Sequence, residues 1–137
     1  MKIALLVTDN VTELLVKIIE FTRTRHKILA RNIINIGSLG FVPKDLVADE
    51  FSGLLNSAID EHITNRRLVL RDTENVKFGV GGSFKVKPEV DEYAKELLDT
   101  NRDEYIELQL NKLLENMLNQ RVAAELLRQK QRMTSVF

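Results

Sequence analysis

The chain has 137 residues, enough for one domain with its own hydrophobic core. Its 20 basic and 20 acidic side chains balance, so no net charge attracts the protein to nucleic acid or to an anionic membrane. The chain contains no cysteine, which excludes disulfide bonds, thiol catalysis and thiolate metal sites. No stretch approaches the roughly 20 apolar residues of a membrane span. The first residues do not resemble a cleavable signal peptide, so we expect any export to leave the N-terminus uncut.

A long N-terminal helix is predicted over residues 8–36, with Thr8 or Asp9 as its cap. Along this segment one stripe of residues recurs at alternating spacings of four and three, which is heptad spacing. The stripe consists of Val11, Leu15, Ile18, Thr22, Arg25, Leu29, Asn32 and Ile36. Two glycines in residues 37–40 are expected to end the helix, because glycine adopts the left-handed conformation of a C-cap.

The middle segment, residues 42–100, has a mixed pattern. A short amphipathic helix is predicted around residues 51–59, with Asp45 or Asp49 as its cap. Between residues 67 and 87 apolar residues alternate with polar ones, which predicts a small antiparallel β ribbon with a hairpin turn at Gly81-Gly82. Pro88 is expected at the first position of a further helix that carries Val90 on its apolar side.

A second long helix is predicted over residues 102–132, after a break at Asp99-Thr100-Asn101, residue types that favour caps and turns. Its stripe again alternates four and three. The stripe consists of Ile106, Leu110, Leu113, Met117, Gln120, Ala124 and Leu127.

Two long stripes predict a mainly α fold in which the terminal helices pack as an antiparallel hairpin or coiled coil. Apolar residues also lie outside the stripes, at Val16, Ile19 and Ile34 on the first helix and at Val122 and Leu126 on the second. A helix that is apolar on more than one side packs against several neighbours. Spacing alone leaves two alternatives open: packing contained within the chain, or packing between subunits.

Residues 28–41 read Ile-Leu-Ala-Arg-Asn-Ile-Ile-Asn-Ile-Gly-Ser-Leu-Gly-Phe. This segment resembles the N-terminal signature of the bacterial flagellar rod and hook proteins, L-A-x-N-I-A-N-x-x-T-P-G-Y. Ile34 replaces the alanine of that pattern, and Leu39 replaces its proline. The positions that match in identity or kind are Leu29, Ala30, Asn32, Ile33, Asn35, Ser38, Gly40 and Phe41.

The short chain and its C-terminal segment are similar to the proximal rod proteins of the FlgB type. Residues 112–116, Lys-Leu-Leu-Glu-Asn, match the end of that family's C-terminal motif, and Gln120 and residues 126–130 follow it. The resemblance implies export without cleavage and assembly into the periplasmic rod of the flagellar basal body. It implies homo-oligomeric and hetero-oligomeric contacts with other rod proteins and with proximal export-gate components.

The stripes and the signature together assign an assembly role to seventeen residues of a single domain, 1–137. They are Val11, Leu15, Ile18, Leu29, Asn32, Ile33, Asn35, Gly40, Phe41, Ile106, Leu110, Leu113, Asn116, Met117, Gln120, Ala124 and Leu127. Asn32 and Asn35 are expected to bind loop carbonyls or a neighbouring backbone at the helix end.

The sequence does not predict an enzyme. No nucleophile is paired with a base, and the chain has two histidines. Asp60-Glu61-His62 carries metal-compatible atoms, but adjacent helical residues point in different directions. We expect no cofactor, no metal, no nucleic acid and no small-molecule substrate. The alternative to a rod subunit is a cytoplasmic helical adaptor or secretion chaperone that binds a partner helix.

Overall fold

A computed structural model describes residues 2–79 and 84–136 of the chain, with side chains for residues 10–79 and 84–133. Four helices and four very short strands occur among the described residues. In chain order they are α1 (Lys2–Ile34), β1 (Lys44–Asp45), α2 (Ala48–Asn65), β2 (Val76–Lys77), β3 (Lys85–Val86), β4 (Glu89–Val90), α3 (Glu92–Thr100) and α4 (Arg102–Val136). The mainly α fold with long terminal helices is confirmed.

Helices α1 and α4 pack side by side as an antiparallel hairpin. The last turn of α1 contacts the start of α4 through Asn32 and Gln109, and Thr22 contacts Asn116 further along. Helix α4 begins where predicted, because the side chain of Asn101 accepts a hydrogen bond from the backbone N–H of Glu104 at 3.2 Å. Among the described helices, none combines the length and apolar character that a membrane span requires.

Helix α1 begins at Lys2, six residues before the predicted start, so the prediction of Thr8 or Asp9 as its cap is wrong, and it ends two residues earlier than predicted, at Ile34. The left-handed backbone conformation occurs at Gly40, with φ of 75°, whereas Gly37 does not adopt a positive φ. The helix therefore ends before its first glycine, and a series of turns over residues 35–40 follows.

The main hydrophobic core lies between α1, α2 and the β2–β3 ribbon. Phe21 of α1 and Phe51 of α2 stack face to face with ring centroids 4.0 Å apart, and Phe84 and Phe78 continue the aromatic cluster. Contrary to the prediction, neither Asp45 nor Asp49 caps α2, whose N-cap position is Val47 without a side-chain hydrogen bond. Asp45 instead pairs with Arg25 and Lys112, and its Oδ1 also accepts a hydrogen bond from the backbone N–H of Leu46, which precedes the helix.

The predicted ribbon forms from β2 and β3, which pair antiparallel with Val76 opposite Val86. Leu68 and Leu70 lie in irregular chain before it. The predicted hairpin turn at Gly81-Gly82 lies outside the described residues.

A second antiparallel pair, β1 with β4, was not predicted. Lys44 lies opposite Val90, so the chain after Pro88 is extended and the prediction of a helix start at Pro88 is wrong. Helix α3 begins at Glu92, because Asp91 accepts a hydrogen bond from the backbone N–H of Ala94 at 3.1 Å.

Candidate assembly interface

Asn32 joins three parts of the chain at the end of α1. Its amide nitrogen donates to the carbonyl of Lys44 at 2.7 Å and to Oε1 of Gln109 at 3.0 Å. Its amide oxygen accepts from the backbone N–H of Lys44 at 3.2 Å. The backbone carbonyl of Asn32 also accepts a hydrogen bond from the hydroxyl of Tyr105 at 2.7 Å. This buried asparagine therefore fixes β1 and the start of α4 to the last turn of α1.

Asp45 forms a nearly buried junction of opposite charges beside Asn32. Its two oxygens accept hydrogen bonds from Nε and a terminal nitrogen of Arg25, both at 2.9 Å. Lys112 approaches the same carboxylate at 3.0 Å and donates to Asp91 at 2.7 Å. The ion pairs thus connect four parts of the chain: α1, β1, α4 and the N-cap of α3.

The pKa values in this junction reflect burial set against ion pairing. Burial by itself raises the pKa of Asp45, but hydrogen bonding and charge from Arg25, joined by Lys112, hold it below its usual value. Burial by itself lowers the pKa of Lys112, but Asp91 and Asp45 together raise it above its usual value. Asp45 and Lys112 are therefore both charged near neutral pH, and their opposite charges compensate each other.

Side-chain hydrogen bonds and ion pairs connect α1 to α4, directly or through Asp45, and we call the residues of the two helices that make them the polar seam. On α1 it consists of Thr22, Arg25 and Asn32, and on α4 of Tyr105, Gln109, Lys112 and Asn116. The amide nitrogen of Asn116 donates to the backbone carbonyl of Thr22 at 2.7 Å, at a site where Asn116 is buried. The α4 members are spaced four, three and four apart, so the seam keeps heptad geometry with polar side chains.

The predicted stripe of α4 lies beside the polar seam rather than in it. The buried positions 105, 109 and 116 each precede a stripe residue by one, and a shift of one residue rotates the facing side of a helix by about 100°. Ile106, Leu113, Gln120, Ala124 and Leu127 are half-buried, whereas Leu110 and Met117 are exposed. The side of α4 that packs against α1 is therefore next to the stripe, and Asn116 is the one predicted α4 residue that is buried.

The predicted residues of α1 lie closer to buried surface. Leu15, Leu29 and Asn32 are buried, and Val11, Ile18 and Ile33 are half-buried. Asn35 is half-buried and donates to the carbonyl of Arg31 within its own helix turn at 3.1 Å. After the helix, Gly40 is exposed and Phe41 is half-buried.

An exposed apolar face remains on α4, defined by Leu110, Leu114, Met117 and Leu118. Each of these side chains has between 47% and 63% of its surface exposed. Val122 and Leu126 add exposed apolar surface on the other flank of the same helix. Helix α4 thus buries Gln109 and Asn116, while several of its large apolar residues face solvent, where an amphipathic helix of a monomeric protein would bury them.

A groove of about 570 Å³ runs along one flank of the hairpin. Leu114, Met117 and Leu118 of the apolar face line it, together with Gln120 and Ala124. Its remaining lining is basic and comes from both helices: Arg23, His26, Lys27 and Arg121. The groove combines an apolar floor with positive charge, a surface suited to an acidic amphipathic partner.

Comparison with known proteins gives no assignment. No family model matches the chain, and no curated protein and no solved structure matches it.

Sequence reasoning missed Asp45, Tyr105, Gln109 and Lys112 as interface residues. A search for apolar periodicity passes over them, because their side chains carry polar or charged groups. The available signal was the recurrence of polar residues on both helices at spacings of four and three.

Among the described residues, neither the hairpin nor the middle segment brings together the groups of a metal site. No group of three or more His, Asp or Glu side chains with metal-binding geometry occurs there. His62 is buried on α2, and its Nδ1 lies 3.3 Å from the amide nitrogen of Asn10. That contact ties the end of α2 to α1, which is a structural role.

Proposed function

We propose that the chain is a structural subunit of the proximal rod of the bacterial flagellar basal body and that it assembles through its terminal helices. The observation that carries this proposal is the apolar face of α4, which the chain itself does not cover. Each large apolar side chain moved from water into an interface contributes roughly 1.5–3 kcal/mol when it becomes fully buried. Four such side chains in one face favour a partner surface.

The signature residues support the same proposal. The segment that resembles the rod and hook proteins spans the end of α1 and the following turn. In that segment Asn32 binds the backbone of Lys44 on both its amide atoms, and Gly40 adopts a positive φ. The signature segment therefore has a specific conformation, and its Asn32 connects the end of α1 to β1 and to the start of α4.

The partners of this proposal are other rod proteins and the proximal components of the export gate, with contacts to identical and to different subunits. The location is the periplasmic rod, reached by export without cleavage of the N-terminus. No catalytic step and no cofactor enter the proposal, because assembly needs complementary surfaces rather than chemistry.

Deletion of the gene in the source bacterium, followed by electron microscopy of basal bodies and a swimming assay, tests the proposal. We expect rings without rods and loss of swimming, both restored by the wild-type chain. A Leu114→Gln/Leu118→Gln variant should fold but fail to restore rods, because it removes the centre of the apolar face. The matched control is Ile63→Gln on α2, an apolar residue of similar exposure, which should restore them.

Intact rods and normal swimming after deletion would contradict the rod assignment. The second candidate function is then a cytoplasmic helical adaptor or secretion chaperone. The polar seam favours this alternative, because it closes the hairpin within one chain and leaves a groove on the flank that a partner helix could occupy. Cell fractionation separates the two functions, since an adaptor stays in the cytoplasm and a rod subunit is recovered with basal bodies.

A further inference from the structure

The flank groove of the hairpin has a one-sided charge. Of the described residues that line it, four are basic or histidine and none is acidic. Arg23, His26 and Lys27 of α1 are exposed on one wall, and Arg121 of α4 is exposed on the other. A partner that fills this groove must bring apolar side chains for its floor and carboxylates for its walls.

The same chain carries a surface of that composition elsewhere. Asp99, at the end of α3, and Asp103, Glu104 and Glu107, in the first turns of α4, are all exposed. We call these four residues the acidic corner. Leu110 follows Glu107 by three residues and lies on the exposed apolar face, so an apolar side chain adjoins the carboxylates.

The groove and the acidic corner cannot meet within one molecule. Asp103 and Arg121 lie on the same helix, 18 residues apart. At 1.5 Å per residue that separation is about 27 Å along the axis of a straight helix. A contact between two different, complementary surfaces of the same chain is heterologous. Such a contact repeats from copy to copy and gives an open series of subunits, unless the rotation between copies produces a ring.

We infer that the flank groove receives the acidic corner of a second copy of this chain, which offsets neighbouring subunits along the α4 axis. The inference rests on the proposed assembly function and names the surfaces of its contact between identical subunits. Carboxylates of one copy pair with the basic walls of the next, and Leu110 adds to the apolar floor. Balanced total charge leaves no general attraction between copies, so the pairing depends on where the charges lie.

Two charge-reversed full-length variants test this contact. The groove variant is Arg23→Glu/Arg121→Glu, and the corner variant is Glu104→Lys/Glu107→Lys. Analytical ultracentrifugation of the wild-type chain should show an open series of oligomers that grows with concentration and shrinks in 0.5 M salt, a concentration chosen to give a screening length of roughly 4 Å. The affinity of each variant for itself should fall by about tenfold or more, because like charges then face each other.

An equimolar mixture of the two variants gives the decisive readout. In the mixture the lysines of the corner variant face the glutamates of the groove variant, and the unchanged corner of the groove variant fits the unchanged groove of the corner variant, so an open series of alternating oligomers should reappear. Circular dichroism of each variant checks that the fold persists. An Asp49→Lys/Asp60→Lys variant on exposed α2 positions changes the total charge as much as the corner variant and should associate like the wild type.

Three outcomes would overturn the inference: a monomeric wild-type chain, a closed wild-type dimer, or mixed variants that stay apart. These outcomes are distinguishable from failure of the proposed function. If the deletion strain still lacks rods while the mixed variants do not associate, the groove pairing alone is wrong.

Discussion

The hydroxyl of Tyr105 donates a 2.7 Å hydrogen bond to the backbone carbonyl of Asn32, a residue 73 positions earlier in the chain. The carbonyls in the last turn of a helix have no partner within the helix, and Tyr105 supplies one for α1. Because Tyr105 is fully buried at this position, its hydroxyl has no access to water as an alternative partner. The pair therefore ties the end of α1 to the first turn of α4.

Tyr105→Phe should destabilise the fold by about 1–3 kcal/mol at pH 7, because it leaves a buried carbonyl unpaired. The substitution also removes a titrating group. Burial, with a contribution from Asp91, raises the pKa of Tyr105 to about 12. The unfolded chain loses this proton near pH 10, so the stabilisation is complete below pH 10 and is lost as the pH rises towards 12.

Urea unfolding at pH 7, 10 and 11 measures both effects of the Tyr105 substitution. We expect the wild type to lose more stability between pH 10 and 11 than Tyr105→Phe does. Lys112, whose pKa is also raised, contributes alkaline sensitivity to both proteins. Tyr93→Phe is the matched control, because Tyr93 is 62% exposed and should change neither quantity.

Asp45→Asn should destabilise the protein by about 3 kcal/mol at pH 7, because Arg25 and Lys112 then lose a shared counter-charge in a nearly buried place. The pKa of Asp45 is lowered in the folded state. Its stabilisation is therefore present above the unfolded value near pH 4 and is lost as the pH falls through the folded value.

Thermal unfolding of Asp45→Asn between pH 7 and pH 2.5 tests this account. The variant should show a shallower loss of stability on acidification than the wild type. Asp60→Asn, which changes an exposed carboxylate on α2, serves as the comparison. Equal stability of Asp45→Asn and Asp60→Asn would show that the charge junction does not stabilise the fold.

Asn32 and Gln109 share a hydrogen bond but should respond differently to substitution. Asn32→Ala removes both partners of the Lys44 backbone and should cost about 2–4 kcal/mol. Gln109 is fully buried, and its Nε2 has no hydrogen-bond partner among the described residues. Gln109→Met removes that unpaired amide, so it should be neutral or stabilise by about 1 kcal/mol.

Chemical denaturation of the Asn32 and Gln109 variants side by side is the measurement. A large loss of stability in Gln109→Met would mean that the Asn32–Gln109 bond outweighs the unpaired nitrogen. We expect the wild type and Gln109→Met to have similar free energies of unfolding, and Asn32→Ala to have a much lower one.

Gly40→Ala should destabilise the protein by about 1–2 kcal/mol, because an alanine at φ of 75° occupies the left-handed region. Gly37→Ala is a close control three residues away. A Cβ atom meets no heavy atom within 4 Å at either position, so crowding is absent from both. Gly37 does not adopt a positive φ, and its substitution should leave the melting temperature unchanged. Equal effects of the two substitutions would exclude backbone strain as the reason for glycine at position 40.

The general fold follows from periodicity, because long helices leave a repeated signal in the sequence. The predicted stripe of α1 includes polar as well as apolar heptad positions, and it therefore contains the seam residues Thr22, Arg25 and Asn32. In α4 the stripe was built mostly from apolar residues, and these lie beside the buried side. Large apolar residues occur on several sides of α4, so their spacing does not identify which side faces α1.

The junction at Asp45 was not predicted for a different reason. Strands β1 and β4 contain two residues each, too few to show alternation. Their pairing brings Asp45 and Asp91 to Lys112, and no local pattern indicates contacts between residues so distant in the sequence. Asp45 was interpreted as a helix cap because it precedes α2 by a few residues, a local criterion that ignores its charged partners.

The polar seam also determines the order in which parts of the chain can fold during translation. Arg25, Asn32 and Asp45 leave the ribosome well before Gln109, Lys112 and Asn116, because they precede them in the chain. Until α4 emerges, these early polar groups lack their α4 partners. Helices α1 and α2 and the β2–β3 ribbon can already pack through their aromatic cluster. The hairpin consequently closes only after α4 has emerged. A nascent chain stalled before residue 105 should expose the seam side of α1 to proteases and chaperones.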